Sequence, residues 1–257
     1  MIGAATTAWY VYGVVPAGAP VPDAAGAARL VVQGPLAAIV AEVPLADFDE
    51  EALVERLNDR VWLEDKARAH EDVLSAFAAV TTVVPLRFGT VYRDEDDVRR
   101  LLEERAESFE ATLDRVRGRF ELGVKVWIDR ARFQQALAVG DSHASGGGGR
   151  AYLQRRQSEL AAARDASARA AELARTAHER LRARAVEGVV NRPQPRELTG
   201  RDEDMLLNAA YLVEGDAAPF VDEVERLAAE AAALGVTFEV TGPWPPYNFA
   251  DEGDGAP

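Results

Sequence analysis

The chain has 257 residues, enough to bury a sizeable core as one large domain or two ordinary ones. A formal net charge of −14 argues against a surface that neutralises nucleic-acid phosphates or docks on anionic lipid. The absence of cysteine excludes disulfides, thiol nucleophiles and cysteine-based zinc sites.

Apolar residues make up 48% and charged residues 28%, the balance of a globular protein. No stretch approaches an uninterrupted apolar membrane span. Met1 to Thr7 lacks the basic region and apolar run of a secretory signal, so the expected location is cytoplasmic.

The run from Trp9 to Val15 is aromatic and β-branched and reads as a first strand ending at Pro16. Leu30 to Gln33 and Leu36 to Val43 read as two more, turning at Gly34-Pro35. The second is nearly all apolar, the pattern of a central strand. From Asp49 the period becomes helical through Leu53, Leu57, Ala67, Val73, Leu74 and Phe77, with Asn58-Asp59 a candidate break.

Thr82 to Tyr92 (TVVPLRFGTVY) follows as a short β-branched run. Pro85 brings no backbone N–H, which points to a strand start, an edge or a bulge, and the run reads as a deformed central or edge strand. Arg87 is its only charge and needs solvent or a carboxylate. Asp94 is a candidate N-cap, and Val98, Leu101, Leu102, Phe109, Leu113, Val116 and Phe120 mark one face of a long helix. A first, mixed α+β domain is therefore expected over residues 8–120.

Gly123 to Asp129 alternates as a strand, and a short helix passes through Phe133 and Leu137. The glycine-rich loop Ser142 to Gly149 leads into a helical pattern over about 150–187. There Leu153, Leu160, Ala174 and Leu181 fall at multiples of seven, with Ala163, Ala170 and Ala177 beside them, a narrow seam suited to close packing against another helix. Strands around Val189-Val190, over Met205 to Val213 and over Val236 to Thr241 enclose a helix from Ala217 to Leu234. The order β-α-β-β-α-β is that of a ferredoxin-like domain, modified here by its long first helix and expected over 121–250. Gly242 to Phe249 is proline-rich and expected to lie extended; 251–257 reads as a disordered acidic tail.

No arrangement for chemistry emerges. His70, His143 and His178 lack the spacing of a helical metal site. The glycine run Gly146 to Gly149 is not followed by Lys-Ser/Thr. The acidic clusters at Asp49 and Asp94 begin helices, where capping accounts for them. His70 reads as a hydrogen-bonded structural histidine and Arg87 as a salt-bridge partner. No cofactor, metal or catalytic residue is assigned.

Several segments together resemble the GvpF/GvpL family of gas vesicle proteins. They are Tyr10-Val11-Tyr12-Gly13-Val14, Ala69-His70-Glu71, Pro85-Leu86-Arg87-Phe88-Gly89-Thr90-Val91, Gly123-Val124-Lys125-Val126, Tyr211-Leu212-Val213 and Thr241 to Phe249. The resemblance implies a two-domain α+β fold with a modified ferredoxin-like C-terminal part. It also implies a non-enzymatic accessory or minor structural role in gas vesicles, binding the hydrophobic shell protein GvpA and other gas vesicle accessory proteins during assembly in the cytoplasm. Leu153, Leu160 and Leu181 on the long helix, and Arg87 and Phe88 near the strand edge, are the candidate partner contacts. Self-association through the long helix is one alternative; the other is an enzyme or small-ligand binder with a pocket near His70 and Arg87.

Overall fold

The computed structural model of the chain describes residues 7–45, 59–138 and 149–250. Contacts divide it into two units, Glu121–Pro243 and the remainder, so that the segment from Trp244 belongs with the N-terminal part. The second domain expected to reach residue 250 thus gives up its last residues to the first unit. Leu53, Leu57, the acidic cluster at Asp49, most of the glycine loop and the tail 251–257 lie outside the described residues.

In the first unit, β1 (Thr7–Pro16), β2 (Arg29–Gln33), β3 (Leu36–Pro44) and β4 (Val84–Pro85) stand in the order β2-β3-β1-β4. A further short strand, β5 (Val91–Tyr92), also pairs with β1. Leu36 to Ala41 of β3 are buried throughout, as a nearly continuous apolar run in a central strand requires. On one face, α1 (Arg60–Ala78) brings Leu74 and Phe77 against Val15, Ala37, Ile39 and Val83. The other face is covered by α2 (Glu95–Glu104) and α3 (Ala106–Val116), whose Val98, Leu102, Phe109 and Leu113 meet Val11, Leu36, Ala38 and Val40.

The helix starts follow local chemistry. Asp59 accepts from the Val61 and Trp62 N–H groups, and Asp94 accepts from the Asp97 N–H at 2.8 Å. The single long helix expected after Asp94 is instead two, broken at Arg105 (φ −111°, ψ 18°). The bend lets Val98 and Leu102 before it and Phe109 and Leu113 after it reach the same sheet face. Phe120 lies beyond both, in the following strand.

The second unit holds β6 (Arg119–Ile128, from Glu121 onward), β7 (Glu187–Asn191), β8 (Asp204–Glu214) and most of β9 (Val236–Trp244), in the order β7-β8-β6-β9. Helices α4 (Arg130–Ala138), α5 (Gly149–Arg182), the single turn α6 (Arg196–Thr199) and α7 (Ala218–Ala231) complete it. Val124, Val126 and Ile128 are fully buried, the alternation expected of β6. The Gly242 to Trp244 segment, expected outside any ladder, closes β9. Because β9 is an edge strand, Pro243 can sit there without removing a needed hydrogen bond. Beyond it, Tyr247–Phe249 forms a 3-10 turn with Phe249 buried.

Gly13 shows how tightly β1 is enclosed. A Cβ there would lie 2.7 Å from the Val84 carbonyl oxygen and 3.0 Å from Leu74 Cδ2. Gly13→Ala should therefore destabilise the fold by roughly 1–3 kcal/mol, the usual cost of overpacking. Denaturant unfolding measures it, and an unchanged midpoint would show that β1 and β4 can separate at no cost.

Candidate functional site

The segments singled out in the N-terminal half converge around His70. This side chain rises from α1 and is only 4% exposed. Tyr12 stacks on the ring at 5.6 Å between centroids and Tyr247 at 6.4 Å, while Phe88 meets it edge-on at 5.9 Å. His70 Nδ1 lies 2.8 Å from the Tyr10 hydroxyl. The Tyr10 oxygen accepts from the Gly89 N–H at 3.1 Å, so its own proton is free to be donated to Nδ1. The Tyr247 hydroxyl donates to Glu71 Oε2 at 2.8 Å, and Arg115 binds the Phe249 carbonyl, fixing the C-terminal segment to this unit.

The loop over this cluster comes from the interrupted edge strand. β4 pairs with Gly13 and Val14, β5 pairs with Trp9 and Tyr10, and Arg87-Phe88-Gly89 bulges between them. Leu86 N–H still donates to the Tyr12 carbonyl and Val11 N–H to the Thr90 carbonyl, so the bulge is pinned on both sides. Gly89 takes φ +86°, a conformation that costs a β-carbon-bearing residue. Of the strand start, edge or bulge that Pro85 allows, the structure shows an interrupted edge strand.

The electrostatics of the cluster follow from its burial. Burial lowers the His70 imidazolium to about 4, with the Leu86 backbone acting in the opposite direction. Nε2 nevertheless finds no partner at hydrogen-bond geometry. Burial also raises the Tyr10 phenol. Arg87 is exposed while His70 is enclosed by the rings of Tyr12, Phe88 and Tyr247. Among the described residues no group of three or more His, Asp or Glu could hold a metal ion.

The other candidate contacts separate. Phe88 is half-buried and spent on the rings of His70 and Tyr10. Leu181, expected on a partner-facing seam, is fully buried, as are Ala166, Ala170 and Ala177, because the C-terminal half of α5 packs against β8 and α7. Leu160 is 54% exposed, and every residue from Leu160 to Asp165 is exposed. The side chain of Leu153 lies outside the described residues. Sequence reading passed over Arg192-Pro193-Gln194-Pro195-Arg196, although two arginines spaced by prolines are a legible signal of a rigid charged segment.

Comparison with known proteins agrees with this fold. Residues 8–251 match the family model for gas vesicle synthesis protein GvpL/GvpF. The chain is 43% identical over 223 residues to gas vesicle protein L of Streptomyces sp. (strain CB03234), covering 86% of this chain and 82% of that protein. It is 30% identical over 259 residues to gas vesicle protein F of the same strain, covering 94% and 99%. The crystal structure of GvpF from Anabaena sp. PCC7120 shares the fold with a TM-score of 0.68 at 21% identity, covering 96% of this chain and 97% of that one. The fold and the matched length define a gas vesicle protein. The chain belongs to the GvpL/GvpF family.

His70 gives a pH dependence whose sign is fixed. Its folded pKa lies below its unfolded value, so the unfolded chain takes up a proton between pH 6.5 and about 4 that the folded chain refuses. The stability from neutral His70 is complete above that window and is lost as pH falls through it, by up to about 3 kcal/mol. His70→Asn keeps an acceptor for Tyr10 without titrating there. Its unfolding free energy should fall less than that of the parent chain over this window; parallel losses would remove His70 as a source.

Proposed function

We propose that this chain acts in gas vesicle assembly by binding the hydrophobic shell protein GvpA together with other gas vesicle accessory proteins, without catalysis. The reading rests on membership of the family and on the exposed turn of α5 from Leu160 to Asp165. A helical turn with every residue in solvent has no packing of its own to justify its place, and Leu160 offers an apolar contact there. A shell subunit exposes apolar surface before assembly and aggregates unless that surface is covered. A partner of net charge −14 would keep such a complex dispersed. The expected place of action is the cytoplasm, and none of the described helices is long and apolar enough to cross a membrane.

The second unit is read as a modified ferredoxin-like domain. Its element order and the strand order β7-β8-β6-β9 support this, with α4 and α5 together standing in the place of the first helix. In this reading α5 has two parts: the stretch carrying Ala166 to Leu181 belongs to the domain, and the exposed turn from Leu160 to Asp165 is offered to a partner.

Co-expression tests the reading directly. Full-length chain should retain GvpA on purification, and Leu160→Asp should weaken that retention by about tenfold or more while leaving thermal unfolding unchanged. Retention unaffected by the substitution would remove this face of α5 as the contact. Vesicles that form normally after deletion of the gene would overturn the assembly role itself.

A further inference from the structure

Besides the apolar contact proposed above, the second unit carries a groove of about 700 Å³ whose chemistry differs from that of the chain as a whole. Arg130, Arg192 and Arg196 line it with one carboxylate, Asp204, in a protein of net charge −14. Asp204 Oδ1 accepts from Arg196 Nε at 2.5 Å, and Asp204 Oδ2 accepts from Arg130 Nε. One carboxylate thereby sets two guanidinium groups side by side through their Nε atoms. Among the described residues no acceptor engages their terminal nitrogens, and none engages the exposed guanidinium of Arg192. Asp202 and Glu197 lie near enough to Arg196 to reinforce its charged form and temper the local field.

The segment carrying two of these arginines is held in advance of any ligand. The Arg192 carbonyl accepts from Asn208 Nδ2 at 3.1 Å, and the Gln194 N–H donates to Met205 Sδ at 3.3 Å. Pro193 and Pro195 limit the backbone, with Pro195 at φ −69° and ψ 156°. In polyproline II geometry Arg192 and Arg196 stand about 12 Å apart, which matches carboxylates four residues apart on an extended peptide, about 13 Å. Pro193, Pro195 and Met205 supply apolar wall between the charges. A single small anion bridging Arg130 and Arg196 would leave Arg192 unmatched. A long polyanion would meet the repulsion of the whole acidic chain.

We infer that this groove binds an acidic, extended segment of a partner protein, its carboxylates held by Arg192 and Arg196 with Arg130 alongside. Charge complementarity selects this occupant, and the anchored, proline-limited strap reduces the entropy lost on binding. The inference does not depend on GvpA being the shell-side partner.

Fluorescence anisotropy of the full chain with a labelled peptide alternating glutamate and valine tests it. Saturable binding is expected, weakened about tenfold or more by Arg192→Glu and absent for the same peptide with glutamine in place of glutamate. Arg192 has an exposed side chain, and matched thermal unfolding of the variant would show that the fold is intact. Binding that survives Arg192→Glu, displacement of the peptide by millimolar inorganic phosphate, equal binding of a single-stranded oligonucleotide, or no saturable peptide binding would each overturn the inference. Loss of GvpA retention in Leu160→Asp with peptide binding preserved would separate the two surfaces.

Discussion

A tyrosine hydroxyl buried beneath a sheet must be hydrogen-bonded, and in the first unit that requirement joins three segments remote in sequence. Tyr10 comes from β1, its partner His70 from α1, and the N–H that its oxygen accepts from Gly89 in the edge loop. Leaving such a group unpaired costs about 1–3 kcal/mol, more than one ordinary hydrogen bond returns. The three segments are consequently placed together or not at all. The split of the edge strand into β4 and β5 follows the same logic: the bulge that spoils the ladder brings the Gly89 N–H to Tyr10. Tyr12, Phe88 and Tyr247 then close around the histidine, and the C-terminal segment is fastened through Glu71 and Arg115.

The second unit uses the same pairing. Tyr211 of the central strand β8 places its hydroxyl 2.9 Å from His178 Nδ1 on α5, and Gly188 on the neighbouring strand leaves room for both rings. A Cβ on Gly188 would lie 3.0 Å from the Tyr211 ring. Alongside stands the buried carboxylate of Glu223. Burial would raise it, but Arg180 at 2.6 Å, with Arg226 and Arg184, holds it below its ordinary value. Arg180 also reaches Glu230, so α5 and α7 are coupled through one guanidinium. A paired buried charge of this kind adds less to net stability than to the choice of one register between helices, because displacing either partner strands the other.

The strands with uninterrupted β-branched or alternating pattern were legible from sequence, as was the N-cap at Asp94, because short-range chemistry determines them; Asp59 was legible only as part of a break. Pro85 marked a deformed strand for the same reason, without deciding between a central and an edge position. The kink at Arg105 was not legible, since the apolar period continues through it and only the shape of the sheet below demands a bend. Pro243 misled in the opposite direction: a proline forbids a central strand, yet the edge position that tolerates it is a property of the whole sheet. The partners of His70 were equally hidden. Its position on the apolar side of a helix suggested a structural histidine, but Tyr10 and Tyr247 stand sixty or more residues away.

The alanine seam of α5 shows where sequence periodicity stops being informative. Ala163, Ala170 and Ala177 fall at equivalent heptad positions, yet Ala170 and Ala177 are buried while Ala163 is exposed. The pattern therefore specifies a face without specifying how far along it a neighbour extends. With 34 residues α5 runs roughly 50 Å, and among its described side chains the buried ones begin at Ala166. The turn from Leu160 to Asp165, exposed throughout, depends more on helix propensity, which its alanines and arginine supply, than on packing. Unpacked turns have the lowest opening free energy in a helix. A partner that covers Leu160 would add the packing that turn lacks, so docking would raise its opening free energy, at an affinity reduced by whatever opening it must reverse.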